Sequence, residues 1–185
     1  NDASGSGATP YTTPVITNVS IYGPQATSST TINSNFKRSA HLRRNTHTRV
    51  FNSVFAGFPT GLLIDGGSCE TNADANELKV KDCVFSAMGT LTAVASGSTW
   101  DIAAWYGANT NTTYTDNTQL GVNDAFNLTA PDFTLGGSSP LASGASFSDG
   151  DLSDPFFTSV SYKGAFGTDN WTNGWANWTP QNTTY

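Results

Sequence analysis

A short phrase returns twice along this chain of 185 residues, and no other feature constrains its fold as tightly. Asn18-Val19-Ser20-Ile21-Tyr22-Gly23 recurs as Asn52-Ser53-Val54-Phe55-Ala56-Gly57 and again as Asp82-Cys83-Val84-Phe85-Ser86-Ala87, at offsets of 34 and 30 residues. Each copy runs from a small amide or acid, through a large apolar residue three positions on, to Gly or Ala. A second phrase accompanies it: Leu63-Ile64-Asp65-Gly66 is answered 31 residues on by Val94-Ala95-Ser96-Gly97. Repeats of this length mark stacked supersecondary units that share a continuous core. Short strands between glycine corners at this period fit a parallel β-helix with an insertion in each coil. A sandwich of β-hairpins is the rival, but it would show two-residue turns between alternating runs, and few are present.

Composition supports the β reading. Charged residues make up 12% of the chain, against about 25% in an average soluble protein, and Asn, Thr, Ser and Gly take their place. That mixture is poor in helix formers and rich in turn formers, while the apolar runs carry Val, Ile, Phe and Tyr. It suits an extracellular all-β domain. The net charge of −6 argues against a nucleic-acid surface, and no apolar run reaches the ~20 residues of a membrane-spanning helix. The chain opens on Asn1-Asp2-Ala3-Ser4-Gly5-Ser6-Gly7, with neither Met nor a signal peptide, and reads as a mature or truncated product.

Taken in order, residues 1–13 form a leading loop, Val15 to Tyr22 a strand, and Val50 to Phe58 another ended by Pro59. Leu62 to Ile64 is a short strand, and Leu78 to Val84 alternates apolar and charged residues as a half-buried strand does. The polar insertion from Gly67 to Asn76 lies between them. Past Ser98 the repeat fades, Thr99 to Tyr106 suits one short helix or a last strand, and residues 107–150 read as loop. The aromatic tail, with Phe157, Tyr162, Phe166, Trp171, Trp175, Trp178 and Tyr185, reads as a cap on the coils. The organisation expected is coils over 1–98 and a loop-rich cap over 99–185 packed on the same stack.

Cys69 and Cys83 are the only cysteines. A disulfide would pin the polar insertion to the next strand and imply an oxidising compartment; two buried free thiols are the alternative. With no second pair and no nearby histidine they make a poor metal site.

Two stretches resemble a known family. One is Ser39-Ala40-His41-Leu42-Arg43-Arg44-Asn45-Thr46 followed by Phe51 to Leu62; the other is Tyr162-Lys163-Gly164-Ala165-Phe166-Gly167-Thr168 with Trp171, Trp175 and Pro180-Gln181-Asn182. They resemble the C-terminal half of an uncharacterised Bacteroidota family of secreted or surface right-handed parallel β-helix proteins, often lipoproteins or type IX secretion cargo. The resemblance covers nearly the whole chain. It implies an extracellular or outer-membrane surface location and, as partner, an N-terminal half of the same protein or another protein chain. It implies no activity.

The sharpest polar feature is the window from Phe36 to Arg49, which holds Lys37, Arg38, His41, Arg43, Arg44, His47 and Arg49. Strand alternation would place Arg43, Asn45, His47 and Arg49 on one face, where forked guanidinium contacts suit an acidic polysaccharide, phosphate or sulfate. The alternative is pairing with the protein's own carboxylates. Trp171, Trp175 and Trp178 offer either a stacking platform for sugar rings or buried mass in the cap. Asp149-Gly150-Asp151 with Asp154 could hold Ca2+ but lacks the longer ligand ladder of a known loop, and turn-forming acids are commoner than ligands. No other cofactor is expected. Asn18 and Asn52 are expected to hydrogen bond along the stack.

The function that fits is a non-catalytic β-helix module of the cell surface or of a secreted protein. It would bind a glycan or protein partner through Arg43, Arg44, His47, Arg49 and the three tryptophans, or serve a structural or adhesive role. The alternative is a polysaccharide lyase or hydrolase whose site lies partly in an N-terminal half, with Asp65, Glu70, Asp74 and Asp82 the nearest acids in repeat space. Arginines open to a groove would favour the enzyme; arginines neutralised by internal carboxylates would favour the module.

Overall fold

A computed structural model describes residues 7–184; Asn1 to Ser6 of the leading loop and Tyr185 of the tail lie outside the described residues. Each copy of the repeated phrase bends at its first residue. Asn18, Asn52 and Asp82 have φ of 54°, 48° and 56°, the left-handed region that Asn and Asp tolerate better than other side-chain-bearing residues. The three runs that carry the phrase, each expected as one strand, are therefore two strands meeting at a corner, while Leu62 to Ile64 lies within a single strand as expected. Val15–Thr17 (β1) precedes Ser20–Tyr22 (β2), Arg49–Phe51 (β4) precedes Val54–Ala56 (β5), and Lys79–Lys81 (β7) precedes Val84–Ser86 (β8). A third strand completes each coil: Arg38–Arg43 (β3), Thr60–Asp65 (β6) and Thr90–Val94 (β9).

Equivalent strands pair in parallel from coil to coil, giving a first sheet ordered β1-β4-β7, a second extended by Thr112–Tyr114 (β10) and ordered β10-β8-β5-β2, and a third ordered β3-β6-β9. This is an all-β fold of stacked parallel sheets. The repeat thus persists past Ser98, because β10 adds a fourth rung to the second sheet at Thr112↔Val84. The register aligns Ile21 with Phe55 and Phe55 with Phe85, so the 34- and 30-residue offsets are true rungs. The second phrase is out by one: Ile64 pairs with Val94, an offset of 30. An extra residue enters after β9, before the Gly97 corner.

Side chains from all three sheets meet in one interior cluster that includes Val50, Phe55, Leu62, Ile64, Val80 and Phe85. Phe55 stacks on Phe85 with ring centroids 4.7 Å apart and planes 15° apart. The polar insertion is a helix, Gly67–Asp74 (α1), because Cys69 and Ala73 stand one turn apart and both bury against this cluster. A second helix, Ile102–Ala108 (α2), is capped by the Asp101 carboxylate, which accepts from the Ala104 amide. Its Ile102 and Tyr106, again one turn apart, cover the last coil, and Tyr106 meets Phe85 edge-on.

The stretch expected as loop holds more. Val122–Asp124 (β11) and Asp132–Leu135 (β12) form an antiparallel pair, and 3-10 turns occur at Asn117–Leu120, Pro140–Ala142 and Gly150–Leu152. Leu120, Leu135 and Leu141 from this region bury Val54, Ala56 and Val84 on the outer face of the second sheet, a second core outside the coils.

Candidate functional site

The basic window does not form one face. β3 ends at Arg43, and Arg44 and Asn45 both adopt left-handed φ, 56° and 59°, so the chain turns and the expected alternation is lost before β4 begins at Arg49. Its residues divide into two environments.

On the β3 side, His41 Nε2 lies 2.7 Å from Asp65 Oδ2 at the end of β6. Arg43 is exposed, and Arg44 has a partner of its own. A small cleft of about 170 Å3 is bordered by Tyr11, Thr12, His41, Leu42, Arg43 and Arg44. His47 is turned away from solvent: its ring stacks on Tyr11 at 4.5 Å, and its Nδ1 lies 3.6 Å from the Glu77 carboxylate.

On the β4–β7 side, Arg49 and Lys79 are register partners and so stand side by side on the outer face of the first sheet. Arg49 reaches Glu77 at 2.7 Å and Asp151 at 3.0 Å. Lys79 reaches Asp149 at 3.0 Å and Asp151 at 2.8 Å, and Lys81 reaches Asp149 at 3.2 Å. Burial pushes the Asp149 carboxyl up, but the Lys79 ammonium, the Asp151 amide and Lys81 outweigh it and bring it down to about 2. Burial likewise works against the charged Lys79 ammonium, yet hydrogen bonds to Asp151 and Asp149 raise its pKa. Arg49 is thus neutralised inside the protein. Of the acids considered for Ca2+, Asp149 and Asp151 already face cationic side chains and Asp154 accepts from the Phe156 amide; no group of three or more His, Cys, Asp or Glu able to hold a metal gathers among the described residues.

Three of the four acids considered for catalysis are engaged separately: Asp65 pairs with His41, Asp74 accepts from the Trp100 indole, and Asp82 accepts from the Thr110 hydroxyl; Glu70 on α1 has a buried Oε1 with no hydrogen-bond partner among the described residues. The expected disulfide is absent. Cys69 on α1 and Cys83 at the corner before β8 are both free, buried thiols. The Cys83 thiol donates toward the Lys81 and Val50 carbonyls, and burial pushes its pKa up to about 12.

The tail takes an unexpected course. Asn18 and Asn52 direct their amides outward onto it more than along the stack. Asn18 Nδ2 donates to the Tyr162 and Gly164 carbonyls, while Asn52 exchanges two 2.8 Å bonds with the backbone of Ser146. Asn52 also bonds Thr17 of the neighbouring coil. The Gly164 amide donates to the Asn52 carbonyl and the Ala165 amide to Ser20 Oγ. Gly164 has φ 85°, and a Cβ there would lie 2.6 Å from Ser20 Oγ, so only glycine fits this approach. The aromatic tail thus lies beside the first and second coils, and α2 covers the last one.

The tryptophans consequently stay open. Trp171, Trp175 and Trp178 are 48%, 69% and 41% exposed. Phe166, Trp171 and Trp175 form an offset stack with centroids 5.0 and 5.7 Å apart, and Trp178 meets Phe133 edge-on. Together with Asn18 to Tyr22 they line a trough of about 830 Å3 over β2, the last strand of its sheet. A second trough of about 590 Å3 runs beside β1, walled by Phe156, Phe157, Val160 and Tyr162. Sequence reasoning picked out the tryptophans but placed them as buried mass or a sugar platform, with no link to a strand edge.

No curated protein and no solved structure matches this chain. One protein family does, over residues 1–176, in keeping with the stacked parallel sheets, and the chain belongs to it: the family described as the pectate-lyase-like beta-helix domain.

Proposed function

We propose that this chain is a non-catalytic, right-handed parallel β-helix module of a secreted or cell-surface protein, of the class its Bacteroidota resemblance implies, and that it binds through the end formed by its first coil. One observation carries the reading: three exposed tryptophans converge on a trough over the edge strand β2, whose outer side pairs with no other strand among the described residues. Exposed apolar patches of this kind mark interaction sites, and a concavity of several hundred cubic ångströms is the size that encloses ligand groups. The neutralised Arg49, Lys79 and Lys81 belong to the fold on this reading and hold the C-terminal segment in place.

The family name favours a second reading, in which an acidic polysaccharide meets the cleft beside Arg43. One assay separates the two. The first reading expects that polygalacturonate with and without added Ca2+ yields no ultraviolet-absorbing unsaturated ends, and that Trp171→Ala and Trp175→Ala each reduce binding of an apolar probe dye. Turnover abolished by Arg43→Ala would overturn it in favour of the second.

A further inference from the structure

We infer that the first coil is a seat for one more coil of parallel β-structure, supplied by a partner polypeptide that pairs strand for strand with β1, β2 and β3. The inference rests on reading this end as the binding end, and it names the occupant. Three independent features of the end agree on the same shape.

The first is the backbone. β1, β2 and β3 each stand at the end of their sheets. Val19 O accepts from Val54 N, and Gly23 N donates to Ala56 O, so these groups of the second-sheet turn face β5. Alternation along the strand then directs the amides of Ser20 and Tyr22 to the open side. Unpaired edges of this kind are templates for strand addition.

The second is the interior. Ile16 begins the row continued by Val50 and Val80, yet it is 36% exposed where they are 8% and 1%. Ile21, Ala40 and Leu42 begin other rows and are only partly buried. The opposite end of the stack is covered by Ile102 and Tyr106 of α2, so a second copy cannot continue the stack head to tail.

The third is the rim. Over the second and third coils the C-terminal region covers the outward side chains Val54, Ala56 and Val84. Beside the first coil the same region presents Phe156, Phe157, Trp171 and Trp175 along the open edges of β1 and β2. One added rung would bring a sheet face against both walls. Among the described residues no charged side chain lines either trough, so the incoming rung carries uncharged outward residues on its first two strands, unlike Arg49, Lys79 and Lys81 further along. A glycan would cover the tryptophans but leave the strand edges and Ile16 bare.

The test presents a coil in two ways. A second copy of residues 15–48, inserted directly before Val15 of the full chain, supplies a rung at the native 34-residue spacing. A synthetic peptide of residues 15–43 supplies it in trans to the unaltered chain. Each should slow hydrogen exchange at the Ser20 and Tyr22 amides by about tenfold or more and shift tryptophan emission to the blue. Both responses to the peptide should be full in Ser20→Thr, which keeps the open-side amide and a hydroxyl for the Ala165 amide, reduced in Ser20→Ala, which loses that hydroxyl, and absent in Ser20→Pro, which loses the amide as well. A scrambled peptide should do nothing.

An inserted copy that stays protease-sensitive on a folded chain, with no response to the peptide, overturns the inference. If neutral oligosaccharides instead give a saturable shift lost in Trp175→Ala, the coil partner is wrong but the binding end stands. Concentration-dependent dimers that protect the same amides would make the occupant a second copy and overturn the partner coil. If no probe responds, both readings fall.

Discussion

The two cores of this protein are equally dry but differently built. Inside the coils, like sits on like: Phe55 on Phe85, with Leu62, Ile64 and Val80 in repeating positions around them. Outside the second sheet, Val54, Ala56 and Val84 lie beneath Leu120, Leu135 and Leu141, which repeat nothing. The inner core is fixed by many small contacts in register. The outer one depends on a few polar anchors: Asn18, Asn52, Ser20, and the Lys79–Asp149–Asp151–Arg49 group. The outer cover should therefore come loose at single substitutions that leave the coils standing, whereas the inner core should fail as a whole.

The largest expected effect is inside. Phe85 is fully buried between Phe55 and Tyr106, and Phe85→Ala should cost about 3–5 kcal/mol and shift one cooperative denaturant transition seen by every probe. An early, separate loss of the coil signal alone would break the comparison. Next comes Asn52→Ala, which removes both bonds to Ser146 and places alanine at φ 48°. About 2–3 kcal/mol is expected from lost buried hydrogen bonds and the left-handed backbone. Asn52→Gly relieves only the backbone part. In both, hydrogen exchange should rise at residues 140–166 while Val54 to Ala56 stay protected; equal loss in both regions would sink the distinction.

Smaller still is the ionic anchor. Lys79→Ala should cost about 1–2 kcal/mol, given charged hydrogen bonds at a partly exposed site. Its pH dependence has a definite sign. Asp149 is depressed to about 2, against about 3.9 for an unfolded aspartate. Its contribution is fully present above pH ~4 and is lost as pH falls through the folded value near 2. Lys79 is raised, so its contribution holds below its unfolded value and is lost as pH rises through the higher folded one. The wild-type protein should thus release its C-terminal segment in strong acid, and Asp149→Asn should flatten that acid limb. The smallest expected effect is redox: with both thiols free and buried, a reductant should change the unfolding free energy by less than about 0.5 kcal/mol, and iodoacetamide should label neither cysteine before unfolding.

The inner core was readable because its signal is local and repeated. Ile21, Phe55 and Phe85 announce one another, and the Asn18, Asn52 and Asp82 corners sit at fixed distance from them. What that pattern did not say is that the corners split each run into two strands, which depends on a positive φ that composition alone does not reveal. The helices α1 and α2 were only half legible, since each offers just one apolar pair a turn apart, Cys69 with Ala73 and Ile102 with Tyr106. The ionic anchor was legible only as a general pairing of the basic window with the protein's own carboxylates, and its partners were not, because Arg49 and Asp151 are 102 residues apart. A signal existed nonetheless. Lys79-Val80-Lys81 and Asp149-Gly150-Asp151 share an i, i+2 spacing of opposite sign, the spacing that puts both charges of a strand on one face. The course of the tail had no such cue, because Asn18 gives no hint that its amide will meet Tyr162.

That meeting also orders events in time. Asn18 and the carbonyls it grips are separated by 144 and 146 residues, so the clasp joins two parts of the chain that are made well apart in time. Contacts so distant in sequence are slow to form, and no ribosome-bound intermediate lacking the tail can form this one. The coils can stack while the chain is still emerging; the aromatic rim around their first turn can be raised only after residues 156–178 have followed them out.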